Sequence, residues 1–122
     1  MLRGRQILVV EDESLIAQEL SALLAEHNAT VIGPAATLRE ALSLIDRTQK
    51  IDAAILDIKL HDGDVFPAAE KLDDRGVPII FHSGYTSETL APRFANYPVW
   101  SKPASNLPEM LRGLMPKATS TS

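Results

Sequence analysis

Five polar residues that could handle a phosphate or a metal ion each follow an apolar run of the sequence. Glu11 and Asp12 end I-L-V-V-E-D, Asp57 ends A-I-L-D, Ser83 follows I-I-F-H, and Lys102 follows V-W-S. Short apolar runs without alternation are typical of buried strands in a parallel sheet. Because α/β proteins bind ligands beyond the carboxyl ends of such strands, we expect these five side chains to meet at one edge of the sheet.

The chemistry of this group indicates a cation and a phosphoryl group. Gathered carboxylates repel one another and raise the pKa of at least one member unless positive charge lies nearby. The candidate ligands are oxygens, with no Cys in the chain and no His at a suitable spacing, which favours Mg²⁺. We expect Asp12 and Asp57 to bind the ion, Lys102 to add a second positive charge and Ser83 to donate a hydrogen bond. Such groups suit phosphoryl transfer with Asp57 as the nucleophile.

Each of these residues also has a purely structural explanation. Acids at positions 11–13 can favour the start of a helix, an effect of roughly 0.3–1 kcal/mol each. Asp57 and Ser83 can serve as turn residues, and Lys102 can be a solvated surface cation. These explanations account for the residues one at a time, but not for their shared location at strand ends.

The elements that must position these residues alternate along the chain. Apolar runs predict strands at Gln6–Val10, Thr30–Gly33, Ala53–Leu56, Ile79–Phe81 and Val99–Ser101. Helical spacing predicts four helices. The first carries Leu15, Ile16, Leu20, Leu23 and Leu24, and the second begins after a Thr37 cap with Glu40 as its partner. The third and fourth run over Phe66–Leu72 and Leu107–Met115. Five strands alternating with helices predict an α/β fold with a parallel sheet covered on both faces.

Length and composition limit the function further. The 122 residues fit one domain, expected over residues 1–116, with a disordered tail over 117–122. Twelve basic and sixteen acidic residues give a net charge of -4, which argues against nucleic acid or an anionic membrane as a partner. No apolar run approaches the roughly 20 residues of a membrane span, so the cytoplasm is the expected compartment.

The motifs V-V-E-D-E, L-D-I-K-L-H-D-G, F-H-S-G-Y and S-K-P, in this order, resemble the receiver domain of bacterial two-component response regulators. The resemblance spans about residues 7–114. It implies a doubly wound, five-stranded, flavodoxin-like fold in which Glu11 and Asp12 are the acid pair, Asp57 is the phosphoacceptor, Ser83 is the switch hydroxyl and Lys102 binds phosphate. It also implies a metal ligand at the backbone carbonyl of Lys59 and a cis peptide at Lys102-Pro103.

The resemblance implies a switch more than a turnover enzyme. A sensor histidine kinase would pass a phosphoryl group from its phosphohistidine to Asp57 with Mg²⁺, and the domain would later hydrolyse its own acyl phosphate. Movement of Ser83 would then repack the face of the fourth and fifth strands, which a downstream protein target reads. We expect a monomer or weak dimer.

Two features depart from the commonest receivers. Val99 occupies the switch position that usually holds an aromatic residue, and Pro92 interrupts the only candidate for a fourth helix, which we expect to be short or irregular. The stretch from V-F-P-A-A-E to F-H-S-G-Y is similar to an atypical subgroup with an F-A-T-G-Y motif, in which Tyr85 would replace the missing aromatic. His82 is expected to point away from the site, and His61 and Asp62 to mark a turn.

Two other functions remain open at the level of sequence. The domain could be a pseudo-receiver that binds proteins without phosphorylation, although every chemical residue of the site is retained. It could also be a metal-dependent phosphatase, but Lys59 stands where a D-x-D pair would place its second acid.

Overall fold

The computed structural model describes residues 2–82, 90–100 and 107–114. The elements in chain order are β1 (Gln6–Val10), α1 (Ser14–Glu26), β2 (Thr30–Ala35), α2 (Leu38–Arg47), β3 (Ala53–Asp57), β4 (Lys59–Leu60), β5 (Gly63–Asp64), α3 (Phe66–Asp74), β6 (Ile79–His82), a 3₁₀ turn (Pro92–Phe94), β7 (Val99–Trp100) and α4 (Leu107–Leu114). None of the helices in this part of the chain is long and apolar enough to cross a bilayer.

Five of the strands form one sheet in the order β2-β1-β3-β6-β7, and every neighbouring pair is parallel. β6 and β7 are the fourth and fifth strands predicted from sequence. The order reverses next to β1, as in doubly wound flavodoxin-like proteins, which bind their ligands at this switch point. The predicted fold class is therefore confirmed.

Alternation along the strands divides the apolar side chains between the two faces of the sheet. On one face, Leu8, Leu56 and Phe81 pack with residues of α2 and α3. On the other face, Val9 and Ile55 pack with residues of α1 and with Leu111 of α4. The sheet is thus covered on both sides, which explains why its central strands are apolar at nearly every position.

The start of α2 is fixed by local hydrogen bonds that the sequence predicted in part. The Thr37 side chain accepts a hydrogen bond from the backbone amide of Glu40 at 3.1 Å, as the cap requires. The Glu40 carboxylate accepts from the amide of Ala36 at 3.0 Å, one residue before the position of a standard capping box. At the end of α3, Gly76 adopts a φ of 74°, a left-handed conformation that ends the helix.

Strand register brings the functional edge together. Val10 lies opposite Leu56, Asp57 lies opposite His82, and His82 lies opposite Trp100. Partners in a parallel ladder point to the same face. The residue after β1, the end of β3 and the end of β6 therefore form one row on the face covered by α1 and α4.

Several element boundaries differ from those predicted. β2 continues past Gly33 and Pro34 to Ala35, because Ala35 pairs with Val10 and its carbonyl accepts a hydrogen bond from the amide of Glu11 at 2.9 Å. The first helix begins at Ser14 and leaves Leu15 74% exposed, since Ile16 takes the position that faces the sheet. Adjacent residues of a helix point about 100° apart, so the side chain of Leu15 is turned away from the sheet when Ile16 faces it.

The loop after β3 holds one further difference, whereas the segment before β7 agrees with the sequence-based expectation. β4 and β5 form a small antiparallel hairpin that apolar spacing did not predict, because its strands are two residues long and contain Gly63 and Asp64. Between residues 90 and 98, the helical structure is the 3₁₀ turn that begins at Pro92. This agrees with the expected irregular fourth helix over the residues that the structure describes. The predicted tail over 117–122 lies outside the described ranges.

Candidate functional site

The carboxylates of Glu11 and Asp57 meet at the carboxyl ends of the first and third strands. An oxygen of each lies within 4.8 Å of the other and of a ring nitrogen of His82. Asp12 also acts on Asp57 through a hydrogen bond and through its charge. The structure thus brings together the three acids that the sequence singled out, and it adds a histidine to them.

Burial, together with the crowding of negative groups, sets the electrostatics of this cluster. The pKa of Asp57 is raised to about 8. Burial is the largest cause, followed by the charge of Glu11 and by the hydrogen bond and charge of Asp12. In the absence of a cation, the Asp57 carboxyl therefore holds a proton at neutral pH. A protonated carboxyl is a poor nucleophile, so this site requires positive charge before Asp57 can react.

Glu11 has the opposite shift although it is the more buried acid, with 3% of its surface exposed. Burial by itself raises the pKa of Glu11, but hydrogen bonds from His82 and from the Glu13 amide outweigh it and leave that pKa below its ordinary value. The His82 Nδ1 lies 3.0 Å from Glu11 Oε1, and the Glu13 amide lies 3.1 Å from Oε2. Glu11 is therefore the fixed anion of the cluster, and Asp57 is the acid that changes its charge.

The hairpin after β3 is attached to α2 on one side and approaches the acids on the other. The Asp62 carboxylate accepts hydrogen bonds from the amides of Leu38 and Arg39, at 2.8 and 3.1 Å, and these bonds lower the pKa of Asp62. The neighbouring His61 is exposed, with its Nε2 3.9 Å from an Asp12 carboxylate oxygen. The D-G turn predicted here is present, and Asp62 has an additional role at the start of α2.

Two of the remaining predicted site residues lie in the part of the chain that the structure describes, and three lie outside it. Lys59 begins β4 and its side chain is exposed. Val99 begins β7 and is 46% exposed. Ser83, Tyr85 and Lys102 lie outside the described residues, as does the Lys102-Pro103 peptide. Their roles in the site remain predictions.

The donor set of the acid cluster fits a magnesium ion. Glu11, Asp12 and Asp57 offer carboxylate oxygens, which are the ligands that Mg²⁺ prefers. Glu11 and Asp12 also line a cleft of about 410 Å³ between α1 and the end of β2. A divalent cation would also offset the repulsion that raises the pKa of Asp57.

Comparison with known proteins identifies the family. Residues 7–100 match the response regulator receiver domain. The chain belongs to the response regulator receiver family. The regulator PhyR of Methylorubrum extorquens is 34% identical over 87 residues, which are 70% of this chain and 33% of PhyR. This receiver domain spans less than half the length of the curated relatives that it matches.

Solved receiver structures share its architecture. The solution structure of SdrG from Sphingomonas melonis is 37% identical, with a TM-score of 0.79 over 90% of this chain and 95% of SdrG. TrrA from Thermotoga maritima, solved in complex with Mg²⁺-BeF, is 27% identical, with a TM-score of 0.76 over 91% of this chain and 99% of TrrA. The family resemblance predicted from the motifs is confirmed. The similarity to the F-A-T-G-Y subgroup stays a prediction.

His82 is the residue of this receiver's site that the sequence did not predict. It was expected to point away from the site, but its imidazole contacts Glu11. The pairing of Asp57 with His82 places the two side chains on one face at the same edge. That pairing depends on the register between distant strands, and spacing within one strand does not reveal it.

Proposed function

We propose that this receiver domain accepts a phosphoryl group on Asp57 from the phosphohistidine of a sensor histidine kinase, with Mg²⁺ as cofactor. The observation that carries the proposal is the position of Asp57 at the carboxyl end of β3, in contact with two further acids. Receiver domains are regulatory switches, and this domain would use the modification to regulate a protein partner. The cytoplasm is the proposed compartment.

The residues of the cluster have distinct tasks in the proposed reaction. Mg²⁺, when bound, supplies the positive charge that favours ionised Asp57 and partly neutralises the phosphoryl oxygens. Glu11 and Asp12 would hold the ion together with Asp57, and the backbone carbonyl of Lys59 is the proposed further ligand. An oxygen of ionised Asp57 attacks phosphorus. The new O–P bond forms as the N–P bond of the phosphohistidine breaks, and its electron pair goes to the imidazole nitrogen of the kinase.

The proposed switch and phosphate-binding residues belong to β7 and to the segments that follow β6 and β7 in the sequence. Ser83 directly follows β6, and Lys102 comes two residues after Trp100, the last residue of β7. We assign the hydroxyl and the ammonium group to the oxygens of the new phosphoryl group, which carry about two negative charges. Tyr85 and the exposed Val99 are the proposed positions at which the face of β6 and β7 changes for a partner.

Two observations support this proposal over a receiver fold used only as a scaffold. A scaffold has no need of a carboxyl whose pKa is raised to about 8 by its burial and by two neighbouring acids. Clusters of this kind reduce stability without a ligand and are typical of functional sites. The Mg²⁺-BeF complex of TrrA concerns a receiver with the same fold, and we transfer its type of ligand to this chain as part of the proposal.

Incubation with Mg²⁺ and acetyl phosphate, followed by intact mass spectrometry, tests the proposal. Wild type is expected to gain the mass of one phosphate, and Asp57→Asn is expected to gain none. Asp64→Asn removes an exposed acid of the nearby hairpin and should behave as wild type. Modification of the Asp57→Asn variant would assign the phosphate elsewhere. A wild type that stays unmodified would contradict phosphoryl acceptance and favour the phosphorylation-independent binding module.

A further inference from the structure

His82 forms a buried pair with Glu11 and has no part in the phosphoryl transfer described above. Glu11 is 3% exposed and His82 is 1% exposed, and their 3.0 Å contact joins residues 71 positions apart. Among the described residues, these are the polar or charged side chains that are buried. Both side chains also have an atom within 4.8 Å of a carboxylate oxygen of the proposed acceptor Asp57.

The direction of the hydrogen bond follows from the chemistry of the two groups. An ionised carboxylate only accepts hydrogen bonds, so His82 must carry a proton on Nδ1 and donate it to Glu11 Oε1. The other nitrogen, Nε2, is buried and has no hydrogen-bond partner in the described part of the chain. Its ring lies against the indole of Trp100, with ring centroids 4.5 Å apart. The imidazole is thus held by packing on one side and directs its donor at Glu11 on the other.

The second oxygen of Glu11 is also engaged. Oε2 accepts from the Glu13 amide at 3.1 Å, a bond within the turn that leads from β1 into α1. One oxygen is therefore attached to the turn and the other to the end of β6. With both oxygens bonded, the carboxylate has a single orientation relative to Asp57, and each oxygen keeps a lone pair that can face a cation.

We propose that His82 is a positioning residue that orients the Glu11 carboxylate for a divalent cation and attaches it to the strand that precedes Ser83. This inference rests on the proposed function, since it requires that the acids bind Mg²⁺. Partners of this type, which bond to a ligand and not to the metal, typically change metal affinity by 10-fold to 100-fold when removed. Without this donor, Glu11 would be a buried anion that has lost one of its hydrogen bonds, and it would turn away or take up a proton.

A matched pair of substitutions separates the hydrogen bond from the packing. Asn and Leu have nearly the same shape, but only Asn can place a donor where His82 Nδ1 lies. Both lose the ring that packs on Trp100, so their difference reports the hydrogen bond. We expect His82→Leu to bind Mg²⁺ about tenfold more weakly than His82→Asn, and His82→Asn to lie close to wild type. MgCl₂ titrations followed by backbone amide chemical shifts of β1 and β3 measure the three affinities.

Folding of each variant is checked by circular dichroism and by the emission of Trp100, the only tryptophan in the chain. If His82→Leu does not fold, His82→Phe takes its place, because it keeps a ring against Trp100 and lacks the donor. Equal Mg²⁺ affinities for the Asn and Leu variants, whether tight or weak, would overturn the positioning role. If wild type itself binds no Mg²⁺, the proposed function fails first, so the two failures are distinguishable.

Discussion

The two faces of the central sheet are built from different kinds of contact. The face covered by α2 and α3 ends in a cluster of aromatic rings, with Phe94 5.4 Å from Phe81 and 5.9 Å from Phe66. The face covered by α1 and α4 ends in the polar pair Glu11 and His82, packed against Trp100. Both clusters lie near the carboxyl end of the sheet, and they are separated by the thickness of the strands.

This difference indicates a division of tasks within a small domain. Apolar packing depends on volume and area, so the aromatic face contributes mainly to the free energy of unfolding. The polar face depends on the orientation and charge of a few groups, and the acids of the proposed site stand on it. Substitutions on the aromatic face should therefore change stability with little effect on metal binding. Substitutions on the polar face should change metal binding in ways that stability does not predict.

The largest expected effect comes from the aromatic face. Phe94 is fully buried, and Phe94→Ala should lower the free energy of unfolding by about 3–5 kcal/mol, because it leaves a cavity among three other rings. Urea unfolding monitored by circular dichroism measures the change. Leu15→Ala is the control, since Leu15 is 74% exposed and its removal should alter stability by less than about 0.5 kcal/mol. A loss below about 1 kcal/mol for Phe94→Ala would contradict a tightly packed aromatic face.

The aromatic face also shows how far the sequence could predict this molecule. Apolar runs and the Thr37 cap located strands and helices because those signals are local. Phe94 gave no such signal: its neighbour Pro92 interrupts the helical pattern, and its burial depends on rings contributed by α3 and β6. The spacing of apolar residues within one segment does not predict packing between segments that are distant in the sequence.

The polar face shows the same limit for the candidate site. The ends of β1 and β3 were predicted to meet because acids follow apolar runs there, and the structure places Glu11 and Asp57 together. The contact of His82 with Glu11 required the register of β6 against β3. The bonds of Asp62 to the start of α2 likewise join residues 23 and 24 positions apart. The sequence predicts where strands end, but it does not predict which side chains from different strands and helices contact each other.

The next expected effect concerns pH on the polar face. Without metal, folded Asp57 keeps its proton up to about pH 8, whereas an unfolded Asp loses it near its ordinary pKa of 3.8. The stability contributed by this group is therefore fully present below about pH 4 and is lost as pH rises toward 8. Since Mg²⁺ must displace the same proton, its affinity should rise with pH by at most about tenfold per unit below 8 and then level off.

Two measurements check this dependence. Mg²⁺ titrations at pH values on both sides of 8 give the affinities, and urea unfolding of the metal-free domain over the same range gives the stability. Asp57→Asn carries no titrating group at this position, so its unfolding free energy should lack the decline that wild type shows. An Mg²⁺ affinity that stays constant below pH 8 would mean that Asp57 is already ionised in the folded domain.

The smallest expected effect concerns the N-terminal cap of α2. Thr37→Ala removes the side-chain oxygen that accepts from the Glu40 amide and should lower the free energy of unfolding by about 1 kcal/mol. Ser43→Ala removes an exposed hydroxyl from the middle of the same helix and should not destabilise the domain, because Ala is the better helix former. Mg²⁺ affinity should be unchanged in both variants, since neither contacts the acids. A loss of Mg²⁺ affinity in Thr37→Ala, at unchanged stability, would show that the start of α2 affects the acids through the bonds of Asp62, and the two faces would then not be independent.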